Sequence, residues 1–241
     1  MRSVINIDAT VVNNKLPTLT VPQATIDVAA LQGIQAWPVL EAWAVNQSGN
    51  GFKDHVSAAE HVCESGLIDS AEINPSVDGS DSYEVSASGD EIHMQDVDFT
   101  DGFTIAVLCG SEIGIGSSVV DTGMWFLASN ALKLRWEIAP HGYSTYTEYD
   151  GPLLSETELN TVLFVFDRVA GEVYARVNGQ KCLAKSVPDD HVVRPELTLG
   201  AINVGTKQMR QSHYRAAMCF GRALSGAGIE AVESYLNSLK P

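Results

Sequence analysis

Apolar residues recur at every second position along much of the chain, and this is the spacing of β-strands. Between residues 173 and 177, three small apolar side chains alternate with larger amphipathic ones, whereas residues 162–166 are apolar throughout. Asn178-Gly179 follows, and this pair supplies the two positive-φ residues that the tightest hairpin turn needs. The pattern predicts an antiparallel meander whose strand at 162–166 is covered by a layer on each face or lies inside a curved sheet.

Two further stretches carry the same signal. Residues 103–109 are mostly apolar and follow Asp101-Gly102, which predicts a buried strand entered through a turn. In residues 125–138, the apolar side chains at 132, 134, 136 and 138 share one face and charged side chains share the other. This alternation predicts a hairpin with a half-buried second strand, and we expect its turn at Ser129-Asn130.

The last element of the sequence has a different period. Ile229, Val232, Leu236 and Leu239 stand three or four residues apart with polar residues between them, which predicts a short amphipathic helix. Ser225 is positioned to cap its N-terminus. The region from 82 to 220 is therefore predicted to be β-rich and to be closed by one terminal helix.

The first 35 residues form a separate segment. Their apolar side chains are widely spaced and are interrupted by Pro17 and Pro22, which is typical of extended chain. A short helix can follow Pro22 as far as Leu31. We expect an N-terminal arm at 1–35, used for attachment or oligomerisation, and a body at 36–241. The apolar groups of the arm must lie on the body, on a symmetry mate or on a larger assembly.

The composition predicts a well-packed core, since 45% of the residues are hydrophobic and only 19% are charged. We find no signal-peptide pattern and no apolar run long enough to span a bilayer, so we expect neither secretion nor membrane insertion. The four cysteines, which we expect to be reduced core residues, are Cys63, Cys109, Cys182 and Cys219. His61 and Cys63 form the closest His/Cys pair, but no second pair stands at a zinc-like spacing.

The formal net charge of −15 is concentrated in one third of the chain. Residues 54–132 contain 15 Asp and Glu residues and no Lys or Arg, while the rest of the chain is balanced. Because affinity for a phosphate backbone depends on Lys and Arg, we expect no nucleic-acid partner. We interpret the acidic third as a solubilising surface, with docking onto a basic partner and weak capture of divalent cations as alternatives.

The order of these segments resembles a known family. The strand FTIAVLCG, the hairpin GMWFLAS to LRWEI, the run LNTVLFVFDRVAGEVYARVNGQ and the step RALS into a helix follow one another as in concanavalin A-like, laminin-G-like jelly-roll domains. AWAVNQSGNG, at 42–51, is similar to the opening strand and turn of that family. The resemblance covers about residues 40–239. It implies an all-β, concanavalin A-like antiparallel β-sandwich with an extended N-terminal arm and a short C-terminal helix.

Within that architecture, a short chain with an arm and no signal peptide looks most like a virion protein of a tailed bacteriophage. The resemblance implies a non-enzymatic structural or adhesion protein that decorates a capsid or tail, made in the host cytoplasm and located in the virion. Its expected partners are other virion proteins, bound through the arm, and a host surface glycan, in a homo-oligomer or a larger assembly. The alternative is a carbohydrate-binding module that recognises a glycan.

Catalysis is the third hypothesis, because glycoside hydrolases share this jelly roll. Such an enzyme needs two carboxylates about 5 Å apart on one face, in a Glu-x-Asp-x-x-Glu motif or a close variant. No such motif occurs in the sequence, and the nearest spacing is Asp96, Asp98 and Asp101, just before a turn, where a loop role is favoured. The same three residues are the candidates for a metal site. The resemblance allows a loop-bound Ca²⁺, although we expect no obligatory cofactor.

The segment His141–Gly151 is the best candidate for a ligand site. Tyr143, Tyr146 and Tyr149 recur at every third position in a polar, glycine-bounded stretch, so they cannot all face one side of a regular strand. Tyrosine offers an apolar face and a polar tip, which suits both sugar rings and protein interfaces. We therefore predict ligand contacts from His141 and the three tyrosines, with a packed loop over a sheet edge as the alternative.

Overall fold

A computed structural model gives the fold. It describes residues 21–38, 40, 51–55, 57, 60–63, 73–75, 81–85, 91–94, 97–117, 125–138, 147–148, 153–187, 197–201 and 212–241. The helices are α1 (Gln23–Ala29) and α2 (Ala227–Ser238). The strands are β1 (Ile34–Ala36), β2 (Gly51–Lys53), β3 (Glu60–Cys63), β4 (Ile73–Pro75), β5 (Asp81–Val85), β6 (Ile92–Met94), β7 (Phe103–Cys109), β8 (Gly114–Gly116), β9 (Trp125–Asn130), β10 (Lys133–Ile138), β11 (Thr147–Glu148), β12 (Asn160–Asp167), β13 (Glu172–Val177), β14 (Gln180–Lys181), β15 (Lys185–Ser186), β16 (Leu197–Leu199) and β17 (Ser212–Phe220).

The described strands form two antiparallel sheets. The nine-stranded sheet has the order β14-β13-β12-β7-β17-β5-β4, with β1 also pairing with β17 and β15 with β13. The eight-stranded sheet has the order β11-β10-β9-β8-β16-β6-β3-β2. Within the larger sheet β12 is central, since Phe164 lies opposite Ile105 of β7 on one side and Ala175 of β13 on the other. The predicted all-β sandwich is confirmed.

One hydrophobic core fills the space between the sheets. Trp125 of the eight-stranded sheet packs against Phe103 and Phe164 of the nine-stranded sheet, with ring centroids 4.8 and 6.3 Å away. Tyr214 of β17 crosses the same core, where its hydroxyl donates to the Gly114 carbonyl oxygen at 2.8 Å and accepts from the Gly114 N–H at 3.1 Å. This pair of hydrogen bonds fixes β17 to β8 across the interior.

A second core covers the outer face of the nine-stranded sheet. Leu163 and Val165 of β12 pack there with Val28 of α1 and with Val232 and Leu236 of α2. Each such side chain contributes about 1.5–3 kcal/mol when it is fully buried. β12 is therefore buried on both faces, and the layer on each face that its apolar sequence predicts consists of the other sheet and the two helices.

Two local predictions are wrong. The β9–β10 turn is at Ala131-Leu132, both with positive φ (48° and 65°), and the expected turn residues Ser129 and Asn130 belong to β9. Helix α2 begins at Ala227 after Gly226, without a side-chain cap, so Ser225 does not cap it through its hydroxyl.

The described part of the predicted arm packs on the body of the same chain. Helix α1 follows Pro22, as the sequence predicts, and Val28 is fully buried in the second core. Strand β1 pairs with the end of β17. The Gln35 side chain bonds both backbone groups of Asp98, accepting from its N–H at 2.6 Å and donating to its carbonyl oxygen at 2.9 Å. Residues 1–20 lie outside the described part, and the division at residue 35 stays a prediction.

Three cysteines have described side chains, and all three are buried and unpaired, as the sequence predicts. Burial raises the pKa of Cys109 and of Cys182 to about 12, and it also raises the pKa of Cys219. Thiols with such raised pKa values are not nucleophilic at neutral pH.

Candidate functional site

The structure places the middle of the predicted ligand segment at a sheet edge. Strand β11 pairs with β10, so that Glu148 lies opposite Arg135 and Thr147 opposite Trp136. β11 stands at the end of the eight-stranded order. Tyr146 precedes this strand and Tyr149 follows it in the sequence, and both residues lie outside the described part of the chain.

The remaining predicted members of this segment also lie outside the described part of the chain. These are His141 and Tyr143. The ligand role of His141 and the three tyrosines therefore remains a prediction.

The strand next to this edge is held firmly and carries positive charge. Trp136 of β10 is 2% exposed and packs against Phe164 in the core, with ring centroids 6.3 Å apart. Lys133 and Arg135 alternate with the buried residues of β10, and Lys133 is exposed. In the β9–β10 turn, the Leu132 carbonyl oxygen accepts a hydrogen bond from the Leu154 N–H. The exposed Lys133 therefore stands on a strand that the core holds in place.

Of the three aspartates considered for metal binding or catalysis, Asp98 stabilises the turn that leads into β7. The Asp98 carboxylate accepts from the Thr100 hydroxyl at 2.6 Å and from the Thr100 N–H at 2.9 Å. The Thr100 hydroxyl, followed by the Thr100 N–H, lowers the pKa of Asp98. Asp101 is exposed beside Gly102, whose φ of 96° forms the predicted turn into β7, and Asp96 lies outside the described residues. Asp98 thus has a clear structural role in shaping the approach to β7.

A buried carboxylate–imidazole pair was not predicted from the sequence. His61 Nε2 lies 2.9 Å from Asp54 Oδ2, and both side chains are fully buried. Asp54 also accepts from the backbone N–H groups of Trp37 and Ser57. The pair forms because β2 and β3 are neighbours in the sheet, which sets His61 opposite Phe52. No pattern in the sequence indicates this contact. Because both side chains are fully buried, we infer a structural role for the pair. Asp54 links the Trp37 backbone to His61 of β3, in the eight-stranded sheet.

The described residues contain neither a metal cluster nor a membrane helix. Among them, no three His, Cys, Asp or Glu side chains stand close enough together to share an ion. Neither α1 nor α2 combines the length and the apolar character that crossing a bilayer requires.

Comparisons with known proteins show similarity at the level of structure. No family model and no curated protein matches the sequence. The binding domain of Paraclostridial Mosquitocidal Protein 1 superposes with a TM-score of 0.61 at 14% identity, over 86% of this chain and 52% of that chain. Botulinum neurotoxin type C, which interacts with two ganglioside molecules, gives 0.60 at 14% identity, over 91% and 53%. This chain therefore shares a β-sandwich fold with these proteins.

A third solved structure extends the same likeness. The binding domain of botulinum neurotoxin DC in complex with SialylT gives a TM-score of 0.58 at 14% identity, over 86% of this chain and 52% of that chain. The same domain is also known in complex with rat synaptotagmin II. This chain spans about half the length of each of these chains, and at such identity the likeness concerns the fold.

Proposed function

We propose that the chain is a non-enzymatic, lectin-like module that binds a glycan through the segment 141–149 at the β10–β11 edge. The observation that carries this proposal is the likeness of its sandwich to toxin binding domains and to botulinum neurotoxin type C, over 86–91% of the chain. Some of those domains interact with gangliosides or with SialylT. Beyond the shared fold, we propose the β10–β11 edge as the binding site and His141, Tyr143, Tyr146 and Tyr149 as the ligand contacts.

The chemistry of the edge supports this choice. Tyr143, Tyr146 and Tyr149 are suited to sugar rings, because an aromatic face packs on the C–H groups while the hydroxyl bonds the sugar hydroxyls. The exposed Lys133 on the neighbouring strand favours a sugar that carries a carboxylate. Since β10 is fixed by Trp136 in the core, the ligand would meet a support that is already ordered.

A glycan array probed with the full chain tests the proposal. Wild-type protein should bind a subset of glycans, and Tyr146→Ala should weaken that binding at least about tenfold, as expected for an aromatic anchor. Val169→Ala is the control, since Val169 is 96% exposed on the β12–β13 turn and belongs to the other sheet. Absence of binding by the wild type, or undiminished binding by Tyr146→Ala, would contradict the proposal.

The same material separates binding from hydrolysis. Asp98 is the carboxylate nearest to a catalytic spacing, and its hydrogen bonds from Thr100 give it a turn-forming role. We therefore expect wild-type protein to release no sugar from the glycans that it binds. Sugar release that Asp98→Asn abolishes would replace the binding proposal with a glycoside hydrolase.

The second candidate is a structural or adhesion protein of a bacteriophage virion, attached through its arm. The observation that favours it is the exposure of Val21 (45%) and Ile26 (47%) where the arm reaches the body, because apolar groups at such a junction suit attachment. The partners would be other virion proteins, in a homo-oligomer or larger assembly. Deletion of residues 1–20 combined with Val21→Ser and Ile26→Ser should abolish incorporation into particles and leave the body folded. Unchanged incorporation would refute this role.

A further inference from the structure

Asn178-Gly179 is a chemically labile pair as well as a turn. In an Asn-Gly sequence the peptide nitrogen of glycine can attack the side-chain Cγ of asparagine, with little steric hindrance because glycine has no Cβ. A bond forms between Gly179 N and Asn178 Cγ, ammonia leaves, and water then opens the five-membered imide to aspartate or isoaspartate. No group lies within 4 Å of the position where a Gly179 Cβ would stand.

The fold holds the Asn178 amide away from this reaction. Its Oδ1 accepts from the Thr161 N–H at 2.9 Å, and its Nδ2 donates to Asn160 Oδ1 at 3.1 Å. The Asn178 N–H also donates to the Thr161 carbonyl oxygen at 2.8 Å. The side chain thereby extends the pairing of β12 beyond Val162 and Val177. Cγ can reach the glycine nitrogen only after these bonds open.

Asn160 cannot adapt to an acid at position 178. It is fully buried, and its Oδ1 also accepts from the Ser155 N–H at 2.8 Å. Its Nδ2 is directed at the carbonyl oxygens of Ser155, at 3.0 Å, and Glu158, at 3.3 Å. A carboxylate at 178 would therefore face an Asn160 oxygen that the Ser155 N–H still orients, and turning the Asn160 amide would break its bonds to Ser155 and Glu158.

The end of α2 borders the same network. The Thr161 hydroxyl donates to Asn237 Oδ1 at 3.0 Å, and Lys240 Nζ lies 3.5 Å from Asn178 Oδ1. Separation of this helix end would take Lys240 away from the amide and Asn237 away from the Thr161 hydroxyl. Opening of α2 and reactivity of Asn178 are thus linked through Thr161.

We propose that Asn178 is a protected deamidation site. The folded hairpin keeps its amide unreactive, local opening at the end of α2 releases it, and the resulting acid weakens the joint between the hairpin and residues 155–160. The modification converts a reversible opening into a permanent change, because the lost ammonia is not replaced.

Peptide mapping by mass spectrometry tests the protection. The full-length wild-type chain is kept in mildly alkaline buffer, either folded or unfolded in urea, and the conversion of each Asn-Gly pair is followed. Conversion at Asn178 should be at least about tenfold slower in the folded chain. Asn50-Gly51 is the chain's other Asn-Gly pair, and in urea both pairs should convert at similar rates. Equal rates for Asn178 in the folded and unfolded chains would overturn the proposal.

Two sets of variants test the link to α2 and the consequence of modification. Asn237→Ala and Lys240→Ala should speed conversion at Asn178 in the folded chain, and unchanged rates would refute the link. Asn178→Asp should unfold at a lower urea concentration than Asn178→Gly, since both lack the amide but only the acid opposes Asn160, and glycine accepts the φ of 48°. If Asn178→Asp is as stable as the wild type, the proposed weakening is wrong.

Discussion

Gly221 lies where the described part of the arm meets the body, and Gly221→Ala tests that joint. A Cβ at this position would overlap the side-chain nitrogen of Gln35 and would lie 2.6 Å from the Asp98 carbonyl oxygen. The carbonyl belongs to the backbone, and Gln35 is held on it by two hydrogen bonds. Neither neighbour can withdraw without breaking part of this contact.

The expected cost follows from these contacts. Losing both hydrogen bonds of Gln35 costs about 1–3 kcal/mol, and forcing a methyl group against the Asp98 carbonyl costs about 1–3 kcal/mol more. Gly221→Ala should therefore lower the free energy of unfolding by about 2–6 kcal/mol, a large part of the stability of an ordinary domain. Such a loss would move the transition without changing the fold of the rest.

Urea unfolding followed by tryptophan fluorescence measures the effect. Gly228→Ala is the matched control: its Cβ would approach Leu224 no closer than 3.4 Å, and glycine to alanine inside a helix stabilises by up to about 1 kcal/mol. In a Gln35→Ala background, Gly221→Ala should cost at least about 1 kcal/mol less, because the displaced side chain is already absent. An equal cost in both backgrounds, or a loss below about 0.5 kcal/mol in the wild type, would refute the reasoning.

Two further predictions concern the second core and the buried thiols. Arg176 contacts both carboxylate oxygens of Glu233, at 2.7 and 3.0 Å, and the two side chains are 20% and 13% exposed. A double-mutant cycle of Arg176→Met and Glu233→Gln should therefore give a coupling energy of about 1–2 kcal/mol. A coupling energy below about 0.3 kcal/mol would show that the pair does not hold α2. Burial raises the pKa of the Cys109 thiol from 9.0 to about 12. Above pH 9 the thiol ionises in the unfolded chain but not in the folded one. The free energy of unfolding should therefore fall by roughly 1.4 kcal/mol per pH unit as the pH rises toward 12. Urea midpoints across this range should fall less steeply for Cys109→Ala than for the wild type, and identical slopes would exclude the thiol as the cause.

Much of the fold follows from local patterns in the sequence. The apolar run at 162–166 of β12 predicted either a layer on each face or a curved sheet, and the structure shows the first, with the opposite sheet on one face and the two helices on the other. The Asn178-Gly179 turn follows from the φ values that its hairpin needs, and both residues have positive φ. Each of these features depends on neighbours within a few positions, which is why the sequence alone is sufficient to predict them.

The β9–β10 turn shows where local propensity is overruled. Ala131 and Leu132 adopt the left-handed region, which costs about 1–2 kcal/mol for each such residue, while Asn130, the better turn residue, continues the strand. Leu132 packs against the core, and its carbonyl oxygen accepts from the Leu154 N–H. These contacts with a distant segment set the turn, and no pattern within the hairpin reveals them.

Polar joints between distant segments were also beyond the sequence. Gln35 bonds the backbone of Asp98 across 63 positions, and Asp54 meets His61 only because two short strands face each other. An isolated glutamine or histidine in a sequence carries no sign of such a partner. The structure therefore corrects the emphasis on Asp98, whose place is explained by the turn that it stabilises and by the glutamine that holds its backbone.

The candidate ligand site combines both kinds of information. The repeat of Tyr143, Tyr146 and Tyr149 comes from the sequence alone, and composition gives it no location. The pairing of β11 with β10 adds the location, because Thr147 and Glu148 are fixed beside Trp136 and Arg135 at the end of the sheet. The proposal that this segment binds a ligand therefore depends on the tyrosine repeat, on the β10–β11 register and on the exposed Lys133. If the segment only packed on the sheet, it would not need a positive charge beside it. If it binds an acidic glycan, Lys133→Ala should weaken that binding. The stability of the sandwich should stay unchanged, because Lys133 is exposed.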